Sequence, residues 1–379
     1  MNLLSLVLAL LPFWVYLAGT VLAASGFARR HAAVRSSPQP VSVLKPLHGI
    51  EPGLHQNLRS FIDQDYPAAV QVVFGVRSTI DAAIPVARAV MAERPEADTA
   101  LVVDPGGRGS NLKVANLENM LPAARHDILV MADADMRVDP QYLATVTAPL
   151  RDPAVGAVTC LYKGRSSGGL WSQLGAMHIN YGFLPSALAG AALGVGDGCF
   201  GATIALTRET LDRIGGFVPL RDELADDHRI GAAVRAYGGK VALAPYLVEN
   251  VVAEASFLAL WRHELRWART VRAMVPIGFA GSIITHAVPV AMLLAVVNGF
   301  DPWSSAVLLS TLAMRWAAAV LQARTLDLPT RRLWLLPARD ALSFAVFVSS
   351  FCGRSVSWRD QMFRVDADGR MSADGDRFG

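Results

Sequence analysis

The chain has 379 residues, 53% of them hydrophobic, and a formal net charge of +3. That length holds one large catalytic domain with additions, and so apolar a composition points to membrane segments. The mild charge, with no Lys/Arg-rich tract carrying interleaved aromatics, excludes a nucleic-acid partner. Three cysteines, Cys160, Cys199 and Cys352, lie far apart and lack Cys-x-x-Cys spacing. They form neither a zinc site nor a disulfide framework, which suits a reducing compartment.

No charged residue occurs from Met1 to Ala28, and Leu3–Ala24 is long enough to cross ~30 Å of hydrocarbon as a helix. Arg29, Arg30, His31 and Arg35 follow the apolar run instead of preceding it. This reads as a signal anchor, with the following domain in the cytoplasm by the positive-inside rule. After a short linker, Ser36–Pro40, the segment Val41–Leu44 is a strand ending at Lys45-Pro46-Leu47. Leu54, Leu58, Phe61 and Ile62 make a helical stripe over Glu51–Asp63, stopped by Asp65-Tyr66-Pro67. Val70–Val76 repeats the strand, Ile80–Arg94 the helix and Thr99–Val103 the strand. This alternation predicts a doubly wound, Rossmann-like α/β domain with a mostly parallel sheet.

Asp104–Asn119 is rich in glycine and leads into a helix. Glycines let backbone approach a ligand, the helix start favours an anion, and Lys113 offers a point charge to a phosphate. The Gly-Lys-Ser/Thr ending of a Walker loop is absent, and glycines alone more often mark a flexible surface loop. Ile128–Ala132 is a wholly apolar run that stops at Asp133-Ala134-Asp135. Two carboxylates thus emerge at the carboxyl end of a buried strand, where ligands bind in open α/β sheets. They repel each other, and both stay ionised most easily around a hard divalent ion that takes its remaining ligands from water and phosphate. Alone, the pair is as readily a solvated turn that happens to contain two Asp.

Val155–Leu161 reads as a strand and Trp171–Gly182 as an amphipathic helix, with His178 either an acceptor-site residue or, the preferred reading, a packed core histidine. Gly196–Gly201 is formally Gly-x-Gly-x-x-Gly but lies far from the first strand and opens no helix, so a dinucleotide fingerprint is excluded. Arg221-Asp-Glu-Leu-Ala-Asp-Asp-His228 heads a helix running to about Tyr237, where acidic residues serve as caps. Trp261, Leu265 and Trp267 form the apolar side of an interfacial helix whose Arg262, Arg266, Arg269 and Arg272 face lipid phosphates. Ala273–Asn298 is long enough to span, and Trp303–Leu321 is a second apolar run interrupted by Arg315, the two joined by the Gly299–Pro302 turn. Leu333–Cys352 carries Arg339 and Asp340 and is either re-entrant or a further span. Asp366–Gly379 is a polar tail, and its Asp-x-Asp-Gly is no calcium loop because Arg377 stands where the bidentate Glu belongs.

Val41-Ser-Val-Leu-Lys-Pro-Leu47, Gln64-Asp-Tyr-Pro67, Gly109-Ser-Asn-Leu-Lys-Val-Ala-Asn-Leu117 and Asp133-Ala-Asp135 together resemble a GT-A nucleotide-sugar glycosyltransferase. More closely, they resemble the ceramide glucosyltransferase family (glycosyltransferase family 21) and its bacterial hopanoid-biosynthesis relatives. The similarity runs in order from about Val41 to Arg272. It implies a GT-A domain over 36–255, which the segments read above flank with a transmembrane anchor over 1–28, an interfacial helix over 256–272, a membrane region over 273–352 and a polar tail over 353–379. It places Lys45, Pro46, Asp81, Asn111, Lys113 and Asp133 on a UDP-sugar, and Asp133 and Asp135 on Mg²⁺ or Mn²⁺. Asp227 becomes the catalytic base with Asp226 beside it, the reverse assignment staying open. Arg266 is implied to stabilise the leaving diphosphate and Trp267 to form the acceptor wall.

Two departures from the family pattern stand out. Ser78 occupies the position of the usual base-contacting Asp, so Asp81 either substitutes from the next turn or caps the following helix. His263 stands first in the Gln/Arg-x-x-Arg-Trp pattern. The implied activity is inverting transfer of a hexose, of glucose or N-acetylglucosamine type, to a membrane-lipid hydroxyl. Ceramide and hopanoid polyols are the implied acceptors, and the string His263–Thr270 leans to the hopanoid branch. The implied setting is multi-pass in the inner membrane, with the catalytic domain cytoplasmic against the bilayer. The rivals are a processive polysaccharide synthase, which needs more spans and an intact Gln-x-x-Arg-Trp, and a catalytically silent membrane scaffold.

Overall fold

A computed structural model describes residues 2–30, 38–195, 198–353, 355–358, 361–365 and 371–373. His31, Arg35, Ser36, Gly196 and Asp197 of the motifs above, and most of Asp366–Gly379, lie outside the described residues. The chain divides into two compact units: Met1–Arg30 with Gly169–Gly196 and Glu254–Asp368, and His31–Gly168 with Asp197–Ala253 and Gly369–Gly379. The segment expected as one continuous domain over 36–255 is therefore interrupted. Leu170–His178 and Leu184–Ala192 are apolar helices that pack within the helical unit.

The sheet unit contains β1 (Val41–Pro46), β2 (Val70–Val76), β3 (Asp98–Val103), β4 (Ile128–Met131), β5 (Met136–Arg137), β6 (Val155–Ser166), β7 (Ile204–Thr207) and β8 (Lys240–Val252). Their order is β3-β2-β1-β4-β7-β6-β8-β5. The first four are parallel, as the alternating pattern predicts. β7 runs antiparallel to β4 and β6, β6 is parallel to β8, and β5 closes the edge antiparallel to β8. Successive side chains of a strand point to opposite faces, and both faces here are apolar. Val41, Val43, Val72, Phe74 and Val130 pack with Leu54, Leu58 and Phe61 on one side. Leu44, Val73, Leu129 and Met131 pack with Val114, Leu117 and Met120 on the other. Gly75 in β2 lets the helix Leu112–Met120 sit against the sheet, since a Cβ there would fall 2.3 Å from Met120 Sδ.

In the helical unit, Leu3–Ala28, Pro302–Leu326 and Leu333–Ser350 are each long and apolar enough to cross a membrane. Leu6 and Leu10 pack on Ala291, Ala295, Val307 and Leu308. Trp14 Nε1 donates to Thr311 Oγ1 at 3.0 Å and Gln322 Nε2 to Thr20 Oγ1 at 2.9 Å, so these helices are joined by hydrogen bonds as well as by apolar packing. The expected span Ala273–Asn298 is broken: Pro276–Thr285 and Ala287–Val297 meet at a 69° bend. Pro289 explains the break, because its ring would clash with the carbonyl of Thr285 in a continuous helix and it has no N–H to donate. Arg315, Arg339 and Asp340 are paired: Arg315 with Asp340 at 2.9 Å, and Arg339 with Glu264 through two bonds of 2.7 Å. Within the expected polar tail, Ser355–Trp358 and Gln361–Val365 pair as antiparallel strands.

Candidate active site

β1 and β4 are neighbours, yet the chain leaves β1 for β2 and β3 on one side of the sheet and leaves β4 for β5 at the far edge on the other. The crevice at the carboxyl ends of two such strands is the topological switch point. Lys45 nears the end of β1, and Asp133 follows β4, whose run continues into Ala132 N donating to Leu44 O at 3.2 Å. Lys45 is turned inward and fully buried, with its ammonium 3.9 Å from the Phe61 ring centroid and donating to the main-chain oxygen of Asp133. Burial pushes its pKa down to about 7 against the pull of Asp135 and Asp133. Lys45 thus lies beneath the Asp-x-Asp turn and supports it, and Pro46, also buried, pairs with Gly75 of β2.

The carboxylates are held from several sides. Asp135 Oδ2 accepts from Asn250 Nδ2 of β8 at 2.7 Å. Burial, then the neighbouring Asp133, raises Asp135 to about 6. Lys113 Nζ lies 2.8 Å from Asp133 Oδ1 and 3.4 Å from Asp226 Oδ2. Burial alone would lower Lys113, but Asp133, Asp226 and Asp227 outweigh it, and its pKa is raised. Asp227 accepts from His228 N at 2.7 Å through Oδ1. Burial first, then Asp226, raises it to about 6, with Lys113 opposing. A Cβ built on Gly201 would fall 3.2 Å from Asp227 Oδ2 and 3.6 Å from Asp133 Oδ2, so glycine keeps open the space onto which both oxygens face.

The glycine-rich loop is bound to the acidic loop. Gly109 has φ +92° and its Cβ would fall 2.5 Å from Arg221 O, which explains a glycine there twice over. Ser110 N donates to Asp222 Oδ1 at 2.8 Å, and Arg221 Nε donates to Glu118 Oε2 at 3.0 Å. Asn111 caps its helix by accepting from Lys113 N and Val114 N, while its amide donates to Glu223 O at 2.8 Å. Asn111 is a fully buried brace between the two loops. Asp81 accepts from Gly49 N at 2.9 Å and Ala83 N at 2.8 Å, which places its carboxylate on a helix start and the loop after β1.

Arg266 and Trp267 lie on the helix Phe257–Met274 of the other unit. Trp267 meets His263 edge-on at 4.4 Å between ring centroids, and His263 Nδ1 is 2.5 Å from Glu254 Oε1. Glu264 is buried on this helix against Arg339. Arg269 and Arg272 donate to the backbone oxygens of Cys352 and Gly353, a use that the lipid-phosphate reading did not anticipate. Asn250 and the inward turn of Lys45 carry no sequence motif, and Gly201 closes a Gly-x-Gly-x-x-Gly string that gives no hint of its place beside Asp227. Asn250 is one polar residue within a strand, and only the β6–β8–β5 pairing brings it to Asp135.

Among the described residues no group of three or more His, Cys, Asp or Glu side chains gathers as a cation site. Two neighbouring carboxylates suit Mg²⁺ or Mn²⁺, which take their other ligands from water and phosphate. The upward pull of Asp133 on Asp135 is the repulsion that such a cation would relieve, so the residues present fit the group.

A mostly parallel sheet with an acidic pair at its switch point and a glycine loop leading into a helix is compatible with the GT-A fold. A mannosyltransferase from Pyrobaculum calidifontis, solved with GDP-Man and Mn²⁺, shares the fold: TM-score 0.52, 22% identity, 93% of this chain and 99% of that one covered. The chain belongs to glycosyl transferase family 21, whose model matches residues 2–371. Ceramide glucosyltransferase 1 of Caenorhabditis elegans is 22% identical over 354 residues, 90% of this chain and 76% of that protein. Ceramide glucosyltransferase 3 of the same organism is 24% identical over 268 residues, 70% of this chain and 58% of that protein. The chain is a hexosyltransferase.

Proposed function

We propose that this enzyme moves a glucose- or N-acetylglucosamine-type hexose from a UDP-sugar to a hydroxyl of a membrane lipid, with inversion at the anomeric carbon. The observation that carries this reading is the convergence of Asp133, Asp135, Lys113, Asp226 and Asp227 at the switch point of the sheet. Asp133 and Asp135 would hold Mg²⁺ or Mn²⁺, which when bound supplies positive charge against the departing diphosphate. Asp227 takes the acceptor proton. Its pKa of about 6 leaves it ionised at neutral pH yet a stronger base than an ordinary carboxylate. Burial raises Asp227 first, and Asp226, engaged by Lys113 and Asn111, adds repulsion that raises it further. Attack from the face opposite the diphosphate inverts the centre.

The ceramide glucosyltransferases among its relatives support ceramide as the acceptor class, and the His263–Thr270 string supports a hopanoid polyol. Leu3–Ala28 as an anchor, followed by Arg29 and Arg30, supports an inner-membrane enzyme with its catalytic domain in the cytoplasm. Incubating the purified protein with a panel of radiolabelled UDP-sugars and a total lipid extract tests the reading. A discrete labelled glycolipid is expected. A long polymer would favour a processive synthase, and no turnover with any donor a silent scaffold.

A further inference from the structure

The cation at the centre of the acidic cluster is the protein's own. Lys113 sits in the first turn of Leu112–Met120, whose start is tied to the acidic loop through Gly109, Ser110 and Asn111. Its ammonium closes the circuit by reaching Asp226 on that side and Asp133 on the other. Two carboxylates from separate segments therefore share one positive charge, and one of them belongs to the pair suited to a divalent ion. An ammonium 2.8 Å from Asp133 and a dication bound to the same carboxylate repel each other.

We propose that Lys113 is an internal counter-cation that a divalent ion at Asp133 must displace, after which its ammonium is free to pair with the diphosphate of the donor. Resting on the metal-dependent donor binding proposed above, this makes cation and nucleotide mutually dependent. The ion alone binds weakly because Lys113 already neutralises the site. The nucleotide then strengthens its binding by accepting the displaced charge, and the two effects are reciprocal.

Mn²⁺ binding to the full-length protein, read from the electron paramagnetic resonance of the free ion, tests this with and without UDP. Lys113→Met is expected to bind Mn²⁺ alone about tenfold tighter than the parent, because a unit charge beside a ligand has gone. Its enhancement by UDP should fall in the same measurement. Lys113→Arg, which keeps the charge, should resemble the parent with Mn²⁺ alone. Equal or weaker Mn²⁺ binding by Lys113→Met would overturn the proposal. The parent protein provides a second reading that needs no variant to fold: a brief pulse of acetic anhydride followed by mass spectrometry. Saturating Mn²⁺ should speed acylation of Lys113 several-fold. Bound Mn²⁺ with unchanged acylation would overturn the counter-cation alone, whereas no Mn²⁺ binding with or without UDP would overturn the metal reading with it.

Discussion

Asp227→Asn separates chemistry, binding and stability in one protein. Asn keeps the size and can still accept from His228 N, as Asp227 does at 2.7 Å, so the start of Asp226–Ala236 should stay intact. It cannot take up a proton. General-base catalysis is typically worth about 10²–10⁴-fold, and kcat should fall by that factor while UDP affinity in Mn²⁺ stays near that of the parent. In the parent the rate should fall as pH drops through about 6, where the base becomes protonated. Stability should move the other way. The native carboxyl holds its proton to about pH 6, against 3.8 for the free group, so between those values the native state binds more protons than the unfolded one. The parent therefore loses stability as pH rises from about 4 to 6. At ~1.4 kcal/mol per unit the cost above pH 6 is at most roughly 3 kcal/mol, less because Asp227 is only partly buried. In EDTA, Asp227→Asn should melt higher than the parent at pH 7.5 and equal it near pH 4. Near-normal turnover, or a lower melting point than the parent at pH 7.5, would refute the assignment. Lost turnover in Asp226→Asn with Asp227→Asn active would move the base one residue.

Asp135→Ala should abolish Mn²⁺-dependent UDP-sugar binding in calorimetry, and EDTA should do the same to the parent. Gly201→Ala would press on Asp227 and Asp133 from 3.2 and 3.6 Å, and a shift of a few tenths of an ångström should cost on the order of tenfold in kcat/KM. Glu264→Gln leaves the Arg339 charge buried and should destabilise the protein by ~3–5 kcal/mol in thermal melts, with Glu264→Met/Arg339→Met recovering most of it. A cysteine introduced at Ser110 should resist an impermeant thiol reagent in intact cells and react after lysis, and rapid labelling from outside would reverse the topology.

The parallel half of the sheet was legible because β1, β2 and β4 are short apolar runs buried on both faces, and because helical stripes separate them. Asp133 and Asp135 were legible because a buried strand ends on them. The antiparallel half was not: β7 has only four residues, and nothing local tells that it inserts between β4 and β6. Lys45 reads as a ligand in a motif, yet long-range packing on Phe61 turns it under Asp133. Arg315 and Arg339 read as obstacles to spanning helices, and their partners Asp340 and Glu264 lie 25 and 75 residues away. The sequence leaves Asp81 two roles, and in the fold its Oδ1 accepts from the backbone of Gly49 and Ala83 while its Oδ2 lies 3.5 Å from His48 Nδ1, contacts made by loops that the sequence does not connect.

The central claim, single inverting transfer to a lipid, is tested most directly by the proton NMR spectrum of the product made from an α-linked UDP-sugar. One glycosyl unit on the lipid, with the large anomeric coupling of a β-glycoside, is the result expected from direct attack assisted by Asp227. An α-linked product, or a repeating glycan, would contradict it.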